Sequence, residues 1–384
     1  MIYVKPKKID FVLNNYIKFD TQKVILPLIL VQYLTLCPKY RVCCNFATPF
    51  SLKINIFLCL LTSVIFFAYC CSFFKILFEF RTLFKGYTVY VLGLQYLLFA
   101  VSYICNNVMI VKQSEINVKL LTKLQLIRNI NSVDKCADRG SIVINWIFSS
   151  GLILSYLIIS YVQVVYTPTP CSMMILSVIV IMPLDVSIIY AALITKLLSK
   201  EIVTWNCQLK CTFKFNANSS EDMNMQNSKW RSILNGYFTI VDAYYLCEKI
   251  IAVPIINYVM ITFLQYIMNI QIIIDVRIQS INGVIVLCVL WTSKNAFLLV
   301  LICYECEYAY ITLKNAQVMC LMIPHKDNLS DFARDVCRQL QQEGKRVQQA
   351  VSALDLFVVN ARLLLHFLSV VATYAVVILQ FNFL

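Results

Sequence analysis

Arg362–Phe381 reads RLLLHFLSVVATYAVVILQF. Nearly every residue is apolar, and the exceptions are in register. On a helix turning roughly 100° per residue, Arg362, His366, Ser369, Thr373 and Gln380 fall within about 40° of one line. Tyr374 lies off it. An apolar helix carrying one narrow polar stripe belongs in a membrane protein, where the stripe faces water or another helix. Two partners stand open here. One is a pore shared by several copies, with Ser369, Thr373 and Gln380 toward the axis. The other is a hydrogen-bonded seam within one subunit.

The rest of the chain agrees with a membrane setting. Of 384 residues, 60% are hydrophobic and 14% charged, with a mean hydropathy of +0.73. A water-facing domain carries about a quarter charged residues. The apolar runs are continuous rather than alternating, so the expected class is an all-α, multi-pass protein of the plasma membrane, not a β-barrel. Seven runs are long enough to cross: 54–78, 88–111, 142–165, 171–198, 250–274, 281–304 and 356–383. An earlier run, Val24–Leu36, is too short and ends near Pro38; it reads as a lead-in helix. No secretory leader is legible.

Lys and Arg set the expected orientation. Segments 1–53, 112–141, 196–249 and 305–355 hold 27 of the 33. These alternate along the chain, so the positive-inside rule puts the amino terminus in the cytoplasm and the carboxyl terminus outside. A metabotropic seven-helix receptor needs the opposite sign. The same asymmetry accounts for the net charge of +13 without a nucleic-acid partner.

The segments follow. Residues 1–53 form a cytoplasmic lead-in, 54–198 spans one to four, 199–249 a cytoplasmic anchor loop, 250–304 spans five and six, 305–355 a second anchor loop, and 356–384 the last span. In the second loop Phe332, Val336, Leu340, Val347, Val351 and Leu354 keep helical spacing. Ile233, Leu234, Tyr237, Ile240, Val241 and Tyr244 do so in the first. Such helices either pack into an anchor under the membrane or lie on anionic lipid. Residues 216–228 are polar and read as a linker.

Little points to enzyme chemistry. The seven Gly form no phosphate loop, and two His with scattered Cys suggest neither a metal site nor a catalytic arrangement, so no cofactor is expected. Asp185 and Lys294 are charges deep within spans, each about 20 Å from its outer end. A lone charge there costs on the order of 2.5–3.5 kcal/mol, so the two are expected to pair. Tyr87, Tyr90, Tyr96, Tyr156, Tyr161, Gln265, Tyr266 and Asn269 lie in the outer half of the spans. They read either as belt residues or as contacts to a small ligand.

Thr373-Tyr374-Ala-Val-Val-Ile-Leu-Gln380-Phe381 resembles the TYhhhhhQF signature of the insect gustatory receptor family, in which h is hydrophobic, and it stands in the last span. The seven spans, inverted orientation, short outer loops and the Leu-Cys-Pro before the first span are similar to that family too. Val351–Phe357 departs from its usual small-residue pattern. The resemblance implies a tastant-gated, weakly selective cation channel, a homotetramer or a hetero-oligomer with other gustatory receptors. The last helix would line the pore, Gln380 at its outer mouth and Phe381 closing it. Tyr90, Tyr156, Gln265, Tyr266 and Asn269 are the candidates for the ligand. Bitter compounds are the expected class, and sugars the alternative.

Overall fold

The computed structural model describes residues 15–80, 86–131, 138–166, 171–216, 223–279, 282–322, 331–344 and 350–383; side chains at several helix edges, 75–92 and 381–383 among them, lie outside the description. The chain is helical almost throughout. A short helix α1 (Phe19–Leu34) precedes a hairpin of β1 (Arg41–Cys43) and β2 (Phe46–Thr48). Six long helices follow: α2 (Leu52–Phe80), α3 (Gly86–Asn131), α4 (Asp138–Tyr166), α5 (Cys171–Asn216), α6 (Met223–Gln279) and α7 (Asn282–Met322). Then come α8 (Asp331–Gly344), a second hairpin of β3 (Ser352–Ala353) and β4 (Phe357–Val358), and the last helix α9 (Ala361–Phe383). Seven of these helices are long and apolar enough to cross a bilayer.

Four of the seven far outreach the membrane. At 1.5 Å per residue, the 46 residues of α3 and of α5 span about 69 Å, the 57 of α6 about 85 Å, and the 41 of α7 about 61 Å. The hydrocarbon layer takes only about 30 Å. The surplus gathers at the Lys- and Arg-rich end, where it forms a second core. Trp205, Trp230 and Tyr237 are fully buried there, with Leu340 of α8 and Cys320 of α7. Trp205 Nε1 donates to the Ile233 carbonyl at 3.0 Å, and its ring lies 5.3 Å from that of Tyr237. Gly236 permits this approach, since a Cβ would sit 3.1 Å from the indole. The outer faces of α2 and α4 are instead exposed and apolar, as at Phe57, Leu60, Phe67, Ile147, Leu154 and Leu157. That pattern suits lipid.

Several sequence expectations are corrected. The last span starts at Ala361, not 356, because residues 352–358 turn back as a hairpin. Leu354 and Asp355 both adopt positive φ, 51° and 58°, and Ser352 Oγ accepts from the Asp355 amide at 2.9 Å. That turn also ends the helical spacing read through Val351 and Leu354; α8 stops at Gly344, and Val347 lies outside the described residues. The expected linker at 216–228 is helical from Met223 onward, and 217–222 lie outside the description.

The lead-in helix α1 is docked rather than loose. Its buried face includes Val24, Ile25, Leu28 and Val31, set against α4 and α5. Polar ties fix it: Asn145 donates to the Val24 carbonyl at 2.6 Å, and Arg128 to Thr21 Oγ1 at 2.9 Å. After α1 the chain buries Lys39, 2% exposed, with its ammonium 4.9 Å from the Tyr190 ring centre. Burial pulls its pKa down to about 8 from an ordinary 10.5, only partly opposed by the nearby Cys37 sulfur.

Between about pH 8 and 10.5 the unfolded chain holds a proton that the folded one has lost, so stability rises with pH there. Below pH 8 the ammonium form costs about 3 kcal/mol. Lys39→Met is therefore expected to raise the melting temperature of the detergent-purified protein at pH 7, with a gain that shrinks steadily between pH 8 and 10. A gain unchanged across that range would show that the ammonium's charge is not its source.

Candidate functional site

The middle of the bundle contains one polar cluster built by three helices. Asp185 of α5 pairs with the ammonium of Lys294 of α7, both buried. Tyr156 of α4 donates its hydroxyl to the same Asp185 oxygen at 2.7 Å and lies 3.3 Å from Lys294 Nζ. The ammonium also sits over two rings, 4.3 Å from the Trp291 centroid and 4.7 Å from that of Tyr156. Every face of Lys294 is thus occupied by an anion, a hydroxyl oxygen or a π surface. Such surroundings let a charge stay in the membrane.

The same turn of α7 reaches α6 on its other side. Asn295 donates to Gln265 Oε1 at 2.6 Å, and Asn269 to Thr292 Oγ1 at 2.8 Å. Tyr266 donates to the Thr292 carbonyl at 3.1 Å. Gln265 and Tyr266 stand four and three residues before Asn269 on α6, and Thr292 three before Asn295 on α7, so their polar groups fall on the shared seam. The seam then meets α9. Phe367 lies edge-on to Tyr266 at 5.5 Å and to Phe263 at 6.4 Å, and Tyr374 edge-on to Phe263 at 5.5 Å. A continuous set of contacts runs from the Asp185–Lys294 pair across α7 and α6 to the last helix.

Of the sequence-derived candidates, Tyr156, Gln265, Tyr266 and Asn269 come together around this seam. All four are buried. Each is hydrogen-bonded to a neighbouring helix, so they are engaged with protein rather than open to a ligand. Tyr161 is 72% exposed and points away from the cluster, while Tyr96 packs on Tyr69 at 5.7 Å. The side chains of Tyr87 and Tyr90 lie outside the described residues. Reading the sequence missed Trp291, Thr292 and Asn295. Their signal was present: Thr292-Ser-Lys-Asn295 is a dense polar run within an otherwise apolar span. Among the described residues, no group of three His, Cys, Asp or Glu gathers as a metal site.

The stripe on α9 is oriented by what lies behind it. Phe367, Val371 and Ile378 are its buried residues, against α6 and α7. At roughly 100° per residue they stand about 180° from Arg362, His366, Ser369, Thr373 and Gln380. All five of those are exposed, and Thr373 Oγ1 donates only to its own helix, at the Ser369 carbonyl 2.9 Å away. The stripe thus faces away from the buried side of its own helix. The side chain of Phe381 lies outside the described residues. At its other end α9 is held by acceptors: Asn360 Oδ1 caps the Leu363 amide at 3.2 Å, and Glu307 takes the Ala361 amide at 3.0 Å.

Helices of this number, length and order define an all-α, seven-span membrane fold. That fold is similar to the solved structure of the insect olfactory receptor OR5 from Machilis hrabei, with a TM-score of 0.69 at 13% identity, over 94% of this chain and 98% of that one. The same receptor in complex with eugenol matches at 0.64 and 14%, with the same coverage. At these identities the likeness establishes the fold. No protein-family model and no curated protein sequence matches the chain.

Removing one partner of the buried pair strands the other charge, which costs about 3–5 kcal/mol, whereas removing both is far milder. Asp185→Asn and Lys294→Met are each expected to lower the melting temperature and the surface yield sharply. The double variant should recover most of both. A double variant no better than the worse single one would mean that the two charges do not depend on each other.

Proposed function

We propose that the chain is a chemosensory receptor of the gustatory kind, a multi-pass plasma-membrane protein in which a small-molecule tastant opens a weakly selective cation pore. Four copies set α9 around one axis, as a homotetramer or with other gustatory receptors. Segments 199–249 and 305–355 form the cytoplasmic anchor between copies. The observation that carries this reading is the position of the stripe. Ser369, Thr373 and Gln380 stand opposite the buried face of α9, free of their own subunit, which supports a face turned to water or to another subunit. Hydroxyl and amide groups without net charge suit weak selectivity, and the apolar residues between them can close a pore by dewetting.

Ligand binding belongs near the α4–α7 cluster, where the buried ion pair and the amides of α6 and α7 come together inside the bundle. OR5 has the same fold and binds eugenol, which supports a small, largely apolar tastant, and hence the bitter class, for this chain. Tyr156, Gln265, Tyr266 and Asn269 would exchange bonds between α6 and α7 for bonds to the ligand. Tyr266 and Phe263 touch Phe367 and Tyr374, so a change in the seam moves α9. Gln380 and Phe381 lie about 100° apart on the helix and reach the axis in turn only if α9 rotates. That rotation is the proposed gate.

Charge at the pore tests this in cells. With sugars and bitter alkaloids applied as a panel, Gln380→Lys and Thr373→Lys should cut ligand-evoked cation current about tenfold or more at unchanged surface level. Phe381→Ala should raise the leak without ligand. Ile378→Met, on the buried face, should do neither. Current unaffected by either lysine would remove α9 from the pore.

Orientation separates this channel from a metabotropic seven-helix receptor. An epitope on the amino terminus should stain only after permeabilisation, and one on the carboxyl terminus in intact cells. The reverse pattern would end the channel reading.

A further inference from the structure

Far from the ligand cluster, at the basic end, a cleft of about 470 Å³ opens between α1, α4, α5 and α7. Ligand pockets typically fall between about 300 and 1,000 Å³. Its floor is apolar, with Val24, Ile144, Leu193 and Leu197. Its rim carries Lys196 and Lys200, four apart on α5 and therefore on one face. Lys200 Nζ donates to Ser141 Oγ at 3.0 Å. Lys196 lies 3.7 Å from Glu305, a loose ion pair, and is 39% exposed. Tyr304 and Tyr308 stack at 6.1 Å on the far rim, both exposed.

Depth assigns this cleft its medium. Lys196 and Lys200 lie 25 and 29 residues past the start of α5, about 38 and 44 Å along it. Tyr304 and Tyr308 lie about 33 and 39 Å along α7. Both estimates pass the roughly 30 Å of hydrocarbon and reach the headgroup layer. Gly140 and Ser141, in the first turn of α4, fall at the same level. Deeper along the same helices, Ile147 and Phe297 are exposed and apolar, as on a surface that meets acyl chains. Among the residues lining the cleft, two lysines against one glutamate give a net positive sign, and beside Lys200 the Arg128–Glu201 pair adds no net charge; paired tyrosines at the edge match the aromatic belt of an interface.

We infer that this cleft holds an anionic phospholipid of the leaflet at the basic end. The headgroup phosphate lies between Lys196, Lys200 and Ser141, and an acyl chain runs along Leu193, Leu197 and Ile144. The occupant bridges α4, α5 and α7, three of the helices that build the cluster above. Lipid of this sign therefore stabilises the arrangement of the bundle, independently of any tastant or of conduction.

The test uses the detergent-purified full-length chain and its melting temperature. Phosphatidylserine should raise it by about 3–5 °C at saturation, while phosphatidylcholine and soluble glycerophosphoserine should not. Lys196→Gln with Lys200→Gln should abolish the shift. Because that change leaves buried Glu305 without its partner, Gly140→Leu provides a second arm. Gly140 lines the cleft, and a Cβ there meets nothing within 4 Å, so a leucine is accommodated at the cleft wall with every charge retained. This variant should fold as the wild type does and lose the response to phosphatidylserine. An equal shift with phosphatidylcholine or with glycerophosphoserine would overturn the inference, as would a full phosphatidylserine shift in Gly140→Leu.

Discussion

The bundle is organised around a charge that hydrocarbon will not accept alone. Lys294 sits mid-span, and Asp185, Tyr156 and Trp291 surround it. That requirement fixes the rotation of α7 against α4 and α5. Once α7 is set, Thr292 and Asn295 face α6, because they lie on the other side of the same turn. The amides and hydroxyl of Gln265, Asn269 and Tyr266 must then meet them, since a polar group buried without a partner costs about 1–3 kcal/mol. The position of α9 follows from the aromatic residues that α6 presents, Phe263 and Tyr266. One buried pair thereby constrains, through successive contacts, the orientation of the last helix. No single element of the seam could turn without exposing a polar group to lipid.

The second core at the basic end obeys different physics. There the helices are surrounded by water, and apolar burial rather than polar satisfaction holds them. Trp205, Trp230 and Tyr237 bring large apolar area, and α8 covers them with a strongly amphipathic face. Because α5, α6 and α7 are continuous through both environments, the two cores are mechanically joined. A shift of α6 against α7 within the membrane is carried along about 60–85 Å of helix into the region proposed as the anchor. Hairpin β3–β4 makes the return connection: Glu248 of α6 accepts the Ser352 amide at 2.9 Å, just before α9 begins.

What could be read from the sequence divides along the same line. The seven spans were legible because lipid demands continuous apolar helix, and Asp185 and Lys294 because mid-span charge is rare. Helix ends at the basic side were not. Hydropathy falls where a helix leaves the bilayer, yet α5 continues from Leu198 to Asn216 because Trp205 and Leu209 are packed by another segment. The turn at Leu354 and Asp355 was equally hidden, since it needs positive φ from Leu354, a residue that rarely adopts it. In the cluster, Gln265, Tyr266 and Asn269 stood out as polar groups in a span, but their partners on α7 are a matter of helix rotation. Composition does not encode rotation; the spacing of Thr292 and Asn295 around Lys294 was the one available clue.

The last helix draws these threads together. Among the described side chains, Phe367, Val371 and Ile378 are buried against their own subunit and Tyr374 packs on Phe263, while the flanks at Leu365, Leu368, Val376 and Leu379 are open. An apolar flank is at ease in lipid; the stripe from Ser369 to Gln380 is not. If α9 bordered lipid on all free sides, a helix flanked by Leu and Val would have no reason to place its hydroxyl and amide groups on the face opposite its packing line. Putting them there is favourable only where that face meets water or an equivalent face. In the proposed assembly the apolar flanks would serve as contacts between adjacent copies, since van der Waals packing and polar satisfaction drive helices together in a bilayer. A closed ring satisfies both demands with one repeated surface, and cyclic symmetry is the simplest way to close it. Where α9 is covered and where it is not supports the proposed pore, with the TYhhhhhQF resemblance as a separate line of support.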